Sequence, residues 1–107
     1  MEHLKFGQVV LLRFPFTDGL TFKRRPALII NDCGDGDVIV CRITSKIYRS
    51  DFDVEIQNLI ESGLKLPSVI RVHKIATLEK ELVELKMGQI GSEHKEKVRL
   101  ALTSLAK

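Results

Sequence analysis

The sequence predicts a mainly β fold with one C-terminal helix. Short β-branched and aromatic runs recur between residues 7 and 90, and turn residues separate them. Near the C-terminus the spacing of apolar residues changes from two to three or four, which is typical of a helix. Because a sheet of short strands would otherwise expose its edges, we expect a small closed or half-closed β-barrel that forms one domain over residues 1–107.

The N-terminal half predicts three strands. Residues 7–16 are rich in β-branched and aromatic side chains, and Pro15 ends this first strand because proline has no N–H to donate. A polar, glycine-containing loop follows at residues 17–24, and connections of this length are often functional. A second strand, a hairpin turn and a third strand are predicted at residues 26–31, 34–37 and 38–43.

The C-terminal half predicts the remaining elements. Apolar and acidic residues alternate over residues 52–56, which indicates a strand with one solvent-exposed face. Further strands are predicted at residues 68–72 and 84–90. Ser92 is predicted to cap the terminal helix, and Glu93 in the first turn suits the helix dipole. The apolar residues of this helix follow helical spacing: Val98, Ala101, Leu102 and Leu105.

Basic residues are concentrated in three segments. The whole chain carries a net charge of only +3, whereas residues 13–25, 42–50 and 71–74 carry +3, +3 and +2. The remainder is therefore acidic, with a net charge of −5. A basic surface on an otherwise acidic protein is typical of proteins that bind a polyanion. The alternative is three solvated loops whose charges do not converge.

Composition favours an ordinary globular protein, with 44% hydrophobic and 29% charged residues. No apolar run approaches the ~20 residues needed to span a membrane, and the N-terminus has no signal-peptide core, so we expect a cytoplasmic protein. His3, His73 and His94 are far apart in the sequence, and no Cys/His cluster has zinc-like spacing, so we expect neither a metal nor a cofactor. Without a secretion signal, Cys33 and Cys41 are expected to be buried thiols rather than a disulfide.

Three short motifs follow one another along the chain: Gly7-Gln8-Val9-Val10, Arg25-Pro26 and Ile43-Thr44-Ser45. In order and spacing they resemble the MazF/PemK family of toxin ribonucleases, and the resemblance extends to the terminal helix. It implies a small SH3-like β-barrel with a C-terminal helix, the fold that MazF, PemK and CcdB-like toxins share. It also implies a toxin of a type II toxin–antitoxin system that cuts single-stranded RNA without a metal, forms a homodimer and is bound by a cognate antitoxin.

The chemistry of such a cleavage needs arginine and hydroxyl groups. The ribose 2′-OH attacks the adjacent phosphorus, and the resulting negative charge suits a planar guanidinium. Arg25 matches the arginine of the family's Arg-Pro motif, so the resemblance implies that it stabilises the phosphate or transfers a proton. Thr44 matches the family's functional threonine and would donate a hydrogen bond to a phosphoryl oxygen. Judged by residue type alone, Arg25 could equally form a surface ion pair, and Thr44 could open a turn.

Arg71 and His73 form a second pair of candidate catalytic residues. In some relatives the matching segment carries an arginine and, two residues later, an aspartate, proposed as general acid and general base. Arg71 fits this arginine, but His73 stands at the aspartate position. Histidine titrates near neutrality and is a competent acid or base, and the period of two places both side chains on one strand face. A plain surface or interface histidine is the alternative.

Candidate RNA-binding residues lie around these positions. Phe22 and Tyr48 are predicted to stack on unpaired bases, which is how single-stranded RNA is commonly bound. The histidine that some relatives carry in the loop before Phe22 is absent here. The remaining candidates are basic or hydroxyl residues near the catalytic positions: Lys23, Arg24, Ser45 and Lys46.

The sequence therefore predicts a metal-independent endoribonuclease toxin with Arg25 and Thr44 as its central pair. Two alternatives stay open. A non-catalytic toxin of the CcdB type, which acts on DNA gyrase by protein contact, would not need Arg25, Thr44 and Arg71 together. A degenerate relative that binds RNA or an antitoxin but cuts poorly is compatible with His73 and the missing loop histidine.

Overall fold

Six antiparallel strands form one sheet in the order β4-β5-β3-β2-β1-β6, and the computed structural model describes residues 2–15 and 19–107. The strands are β1 Gln8–Pro15, β2 Phe22–Asp32, β3 Asp37–Thr44, β4 Asp53–Ile56, β5 Ser68–Glu79 and β6 Val83–Gln89. The helices are α1 Leu59–Ser62 and α2 Ser92–Leu105, and a short 3-10 helix spans Lys80–Leu82. The predicted fold class, mainly β with a C-terminal helix, is confirmed.

The sheet is not closed by strand pairing. Its outermost strands, β4 and β6, do not pair with each other in the part of the chain that the structure describes. Instead α1 packs against β6, and two glycines permit the contact. A Cβ atom at Gly63 would overlap the Met87 carbonyl, and one at Gly88 would overlap the Glu61 carbonyl. Close approach of two backbones therefore takes the place of a hydrogen-bonded closure.

The central strands are buried on both faces. Val9, Leu28 and Cys41 belong to a cluster that packs against α2, whereas the neighbouring Val10 and Val40 belong to a second cluster on the other face. This alternation follows from the strand period of two. The start of β2 and the end of β3 consequently extend from the well-packed centre of the sheet.

Several boundaries differ from the prediction because pairing partners distant in sequence extend the strands. β2 already begins at Phe22, since residues 22–25 pair with β1, so only part of the predicted loop is a connection. Phe16, Thr17 and Asp18 lie outside the described residues. β5 continues to Glu79 because its second half pairs with the start of β3 beyond a bulge.

The helices also differ from the prediction. α1 was not predicted; its N-cap is Asn58, whose side-chain oxygen accepts from the Glu61 N–H at 3.0 Å. The predicted capping role of Ser92 is wrong, since Gly91 is the N-cap of α2 and Ser92 is its first residue. No described helix is long and apolar enough to cross a membrane.

Both cysteines are free thiols. Cys41 is buried, and this burial raises its pKa to about 12. Its Sγ lies 3.2 Å from the Val72 carbonyl oxygen. Cys33 is exposed, contrary to the prediction, because it stands at the start of the turn between β2 and β3.

Candidate functional site

One open groove of about 950 Å³ lies where β2 begins and β3 ends. The turn after α1 and the middle of β6 form its other walls. No acidic side chain of the described residues lines it, and it also has apolar surface from Leu11, Ile43 and Leu64. Its charged lining residues are all cationic: Arg24, Arg25, Arg42, Lys65 and Lys86. Such a lining favours an anionic ligand.

Arg25 and Thr44 both line this groove and come from adjacent strands. The β2–β3 register pairs Ala27 with Arg42. Extending that antiparallel register by two residues places Arg25 opposite Thr44 on the same face. The structure thus brings together the two residues that the sequence ranked first.

The Thr44 hydroxyl is oriented by the turn that follows it. Its Oγ1 accepts a hydrogen bond from the Lys46 backbone N–H at 3.2 Å. Because the oxygen is occupied as an acceptor, the hydroxyl proton can be donated to a ligand in the groove. Ser45, the next residue, also lines the groove.

Arg24 and Arg25 are adjacent in sequence but differ in their contacts. Arg24 Nε lies 2.7 Å from Glu84 Oε2, and its Nη2 lies 3.1 Å from Glu84 Oε1, a bidentate pair. This hydrogen bonding raises the pKa of Arg24 and lowers that of Glu84. Within residues 2–15 and 19–107, the Arg25 side chain donates to the Arg24 carbonyl oxygen alone, at 3.1 Å. Of these two arginines, Arg25 is therefore the one whose charge is available to an anion.

Arg71 does not line the groove. Its Nε lies 3.0 Å from Asp53 Oδ1, and the Arg71 and Asp53 side chains are 14% and 2% exposed. The Tyr48 ring covers the guanidinium, with the Arg71 Cζ 3.7 Å from the ring centroid. Tyr48 thus stacks on an arginine, and Arg71 is held in a buried ion pair.

His73 also lies outside the groove lining. Its ring packs against Phe52, with the ring centroids 5.5 Å apart. Its Nδ1 is buried and has no hydrogen-bond partner within residues 2–15 and 19–107. Arg71 and His73 project from the same face of β5, as the period of two predicted, but neither reaches Arg25 or Thr44 by a described contact.

The remaining predicted RNA-binding residues lie around the groove rather than in it. Phe22 is 47% exposed, and its ring centroid lies 4.8 Å from the guanidinium carbon of Arg13. Lys23 is an exposed residue of β2. Lys46 Nζ lies 5.2 Å from the Tyr48 ring centroid.

Three cationic groove residues were absent from the predicted site: Arg42, Lys65 and Lys86. Arg42 could have been predicted from the sequence, because it lies in a basic segment two residues before Thr44 and so shares its strand face. Lys65 and Lys86 could not have been predicted from the sequence, since only the packing of α1 against β6 brings them to the groove. Lys86 also bonds to Glu2.

The sequence matches the family model of the PemK-like, MazF-like toxin of type II toxin–antitoxin systems over residues 5–106. The chain belongs to this family. The family membership that the three motifs predicted is confirmed. No curated protein gives a significant match.

Solved structures share the fold of this PemK/MazF-like toxin. A MazE–MazF complex from Deinococcus radiodurans has a TM-score of 0.83 and 21% identity, covering 99% of this chain and 97% of that chain. An endoribonuclease from a mycobacterial species has a TM-score of 0.77 and 19% identity, with coverages of 99% and 93%. Mycobacterium tuberculosis toxin MazF-mt6 has a TM-score of 0.71 and 18% identity, with coverages of 89% and 93%.

Within the described part of this PemK/MazF-like toxin, no group of three or more His, Cys, Asp or Glu residues could hold a metal ion. The groove instead has cations and hydroxyl groups, which bind anions directly.

Proposed function

We propose that this toxin is an endoribonuclease that cuts single-stranded RNA in the groove. One observation carries the proposal: Arg25, which has no carboxylate partner among the described residues, faces Thr44 inside a groove whose charged lining residues are all cations. The family membership and the endoribonuclease among the structural neighbours support the same activity. We place this activity in the cytoplasm.

The reaction proposed is attack of the ribose 2′-OH on the adjacent phosphorus. The 2′ oxygen loses its proton and forms a bond to phosphorus, the bond to the 5′ oxygen breaks, and the 5′ oxygen takes up a proton. The products are a 2′,3′-cyclic phosphate and a 5′-hydroxyl. Arg25 would stabilise the negative charge on the phosphoryl oxygens, and Thr44 would donate a hydrogen bond to one of them. The cationic lining can supply this stabilisation without a metal ion.

The residues outside the groove have other proposed roles. We retain His73 as a candidate proton-transfer residue, which requires RNA or a second subunit to connect it with the groove. Arg71 is proposed to support the strand beside the groove, because its guanidinium is already paired with Asp53. Phe22, Lys23 and Lys46 are proposed contacts for RNA that extends beyond the groove.

We also propose a homodimer and an antitoxin partner. Ile60 on α1 and Leu66 after it are 98% and 59% exposed, and a dimer that covers them would place two grooves close together. An antitoxin would present an acidic segment that folds along the groove, covers Arg25 and Thr44 and competes with RNA.

The decisive experiment is to incubate purified protein with a long RNA in EDTA and to map the ends. Cutting is expected to persist and to leave a 2′,3′-cyclic or 3′-phosphate with a 5′-hydroxyl. A 2′-deoxyribose at the cleaved position removes the nucleophile, so cutting there should cease. Cleavage of this modified RNA, or strict dependence on magnesium, would contradict the mechanism.

A second candidate function is RNA or antitoxin binding without efficient cleavage. Two observations favour it: Arg71 is held in an ion pair with Asp53, and His73 does not line the groove. In that case the same incubation would show RNA bound by the protein and left intact.

A further inference from the structure

The geometry points to Arg42 as a second phosphate ligand that binds the RNA backbone next to the scissile phosphate held by Arg25. Arg42 lies outside the set of residues predicted for the site. The inference rests on the proposed function and deepens it, because it assigns the cation that positions the RNA strand. The inference follows from four residues that lie side by side across the sheet, and from the ion pair that one of the two arginines among them forms.

The row consists of successive register partners on four strands. Ala27 of β2 pairs with Arg42 of β3, Arg42 pairs with Arg71 of β5, and Arg71 pairs with Asp53 of β4. Directly opposed residues of antiparallel strands project from the same face. Arg42 and Arg71 are therefore neighbouring like charges, which repel unless one is neutralised.

Asp53 neutralises Arg71 and not Arg42. The contact between Asp53 Oδ1 and Arg71 Nε is 3.0 Å, and the two side chains are nearly buried, so solvent screens the pair weakly. Burial alone would raise the pKa of Asp53, but the Ser50 hydroxyl and the Arg71 guanidinium outweigh it and lower that pKa. Asp53 thus stays ionised at neutral pH, and its negative charge offsets the positive charge of Arg71.

No carboxylate of the described residues offsets the positive charge of Arg42. Arg42 is exposed, lines the groove, and its guanidinium has no ion-pair or hydrogen-bond partner among residues 2–15 and 19–107. By contrast, Arg24 is paired with Glu84 and Lys86 with Glu2. Arg25 and Arg42 are accordingly the two guanidinium groups of the described lining that have no carboxylate partner.

The position of Arg42 favours binding over chemistry. Its partner on β2 is the small Ala27, so no large side chain separates it from Arg25, its diagonal neighbour at roughly 7–8 Å. Arg25 is the residue opposite Thr44, whereas Arg42 lies two residues before Thr44 on β3. A contact to a neighbouring phosphate is made equally in the ground and transition states, so it lowers KM and leaves kcat unchanged.

The test measures RNA binding apart from cleavage. The probe is a labelled RNA segment that the wild-type protein cuts, with 2′-deoxyribose at the cleaved position, and its affinity is measured by fluorescence anisotropy across a salt series. Each phosphate contact with a single strand contributes about 0.7 to the slope of log affinity against log salt. Arg42→Ala should reduce that slope by about 0.7 and weaken binding about tenfold, while kcat on unmodified RNA changes less than about twofold.

Two variants serve as controls. Arg99→Ala removes the same charge from α2, outside the groove, and should leave both the slope and KM unchanged. Arg42→Lys keeps the charge and should retain the slope. Thermal melting of each variant checks that it is folded.

The outcomes separate this inference from the proposed function. If the wild-type protein cuts RNA and Arg42→Ala keeps the wild-type slope and KM, the assignment of Arg42 is wrong and the nuclease proposal stands. A loss in kcat alone would also overturn it, since that would place Arg42 in the chemistry. If the wild-type protein neither binds nor cuts RNA, both proposals fail.

Discussion

Arginine side chains around the groove differ in what their guanidinium groups already bind. Arg24 is paired with Glu84 and Arg71 with Asp53. Arg25 donates to the Arg24 carbonyl oxygen and has no carboxylate partner among the described residues. A carboxylate partner offsets the charge of a guanidinium and occupies one or two of its five N–H donors, so the guanidinium is a weaker ligand for a second anion. At the residue scale, Arg25 is thus the candidate for the reacting phosphate.

Arg25→Ala should therefore lower the cleavage rate at least about a hundredfold, roughly 3 kcal/mol, on the scale of losing one oxyanion-type donor. Its thermal midpoint should stay close to that of the wild-type protein, because the side chain is exposed and makes a single hydrogen bond to its neighbour's backbone. Single-turnover cleavage and thermal melting provide the two measurements.

Arg24→Ala is the matched control, since it removes the same side chain from the adjacent groove position, which is also exposed. It should slow cleavage far less. Equal losses in the two variants would show that the groove acts through its summed charge rather than through one positioned group.

At the element scale, one buried carboxylate ties three segments together. Asp32 Oδ2 accepts from the Leu4 backbone N–H at 2.8 Å and from Lys80 Nζ at 2.7 Å, and its Oδ1 accepts from the Gly34 N–H at 3.3 Å. The segment before β1, the turn after β2 and the 3-10 helix after β5 thus meet at one side chain that is 1% exposed. His3 Nδ1 lies 3.4 Å from the same oxygen.

These contacts predict how stability depends on pH. The hydrogen bond from Leu4, followed by that from Lys80, lowers the pKa of Asp32 from 3.8 to about 2. A lowered pKa means that the unfolded chain binds the proton more readily. The stabilisation is therefore complete well above pH 4 and is lost as the pH falls toward 2. Asp32→Asn should lower the thermal midpoint at pH 7 by at least about 5 °C and flatten its decline between about pH 4 and pH 2.

Asp35→Asn is the control in the same turn, because Asp35 is exposed and asparagine can still accept from the Asp37 N–H. Melting curves across a pH series give the comparison. A decline at acid pH as steep in Asp32→Asn as in the wild-type protein would assign the acid sensitivity to other carboxylates.

At the scale of the whole molecule, charge is distributed unevenly. A chain with a net charge of +3 concentrates five cationic side chains around one groove. Its folded extents are 36 × 29 × 25 Å, so a single subunit offers RNA only a short track. A two-fold dimer would double that track, because closed pairing repeats the same surface.

The dimer should appear in sedimentation equilibrium at micromolar concentration, and the affinity of the antitoxin peptide should fall as salt rises. Arg25→Ala should weaken that peptide as well, because we place the acidic segment over Arg25. A strict monomer that cuts RNA fully would refute the dimer. An affinity that does not change with salt would refute the electrostatic account of inhibition.

Local patterns in the sequence were sufficient to predict much of the fold, whereas the central pair of the site came from the resemblance to the MazF/PemK family. The apolar runs and the Gly34–Gly36 turn predict the β2–β3 hairpin, since period and turn chemistry are properties of neighbouring residues. Arg25 and Thr44 stand at the open ends of those two strands, so a hairpin brings them together whatever the rest of the chain does. The change to helical spacing after Ser92 likewise predicts α2.

Tertiary structure alone decided which charges remain available. Arg24 meets Glu84 across 60 residues of sequence, and Arg71 meets Asp53 across 18. Both pairs form because β6 and β4 take their places in the strand order, and no local pattern specifies that order. The same long-range packing extended β5, brought Lys65 and Lys86 to the groove and left Arg42 without a carboxylate partner in the part of the chain that the structure describes. Residue types and their spacing thus determined which groups could bind phosphate, whereas burial and pairing between distant strands selected the ones that can.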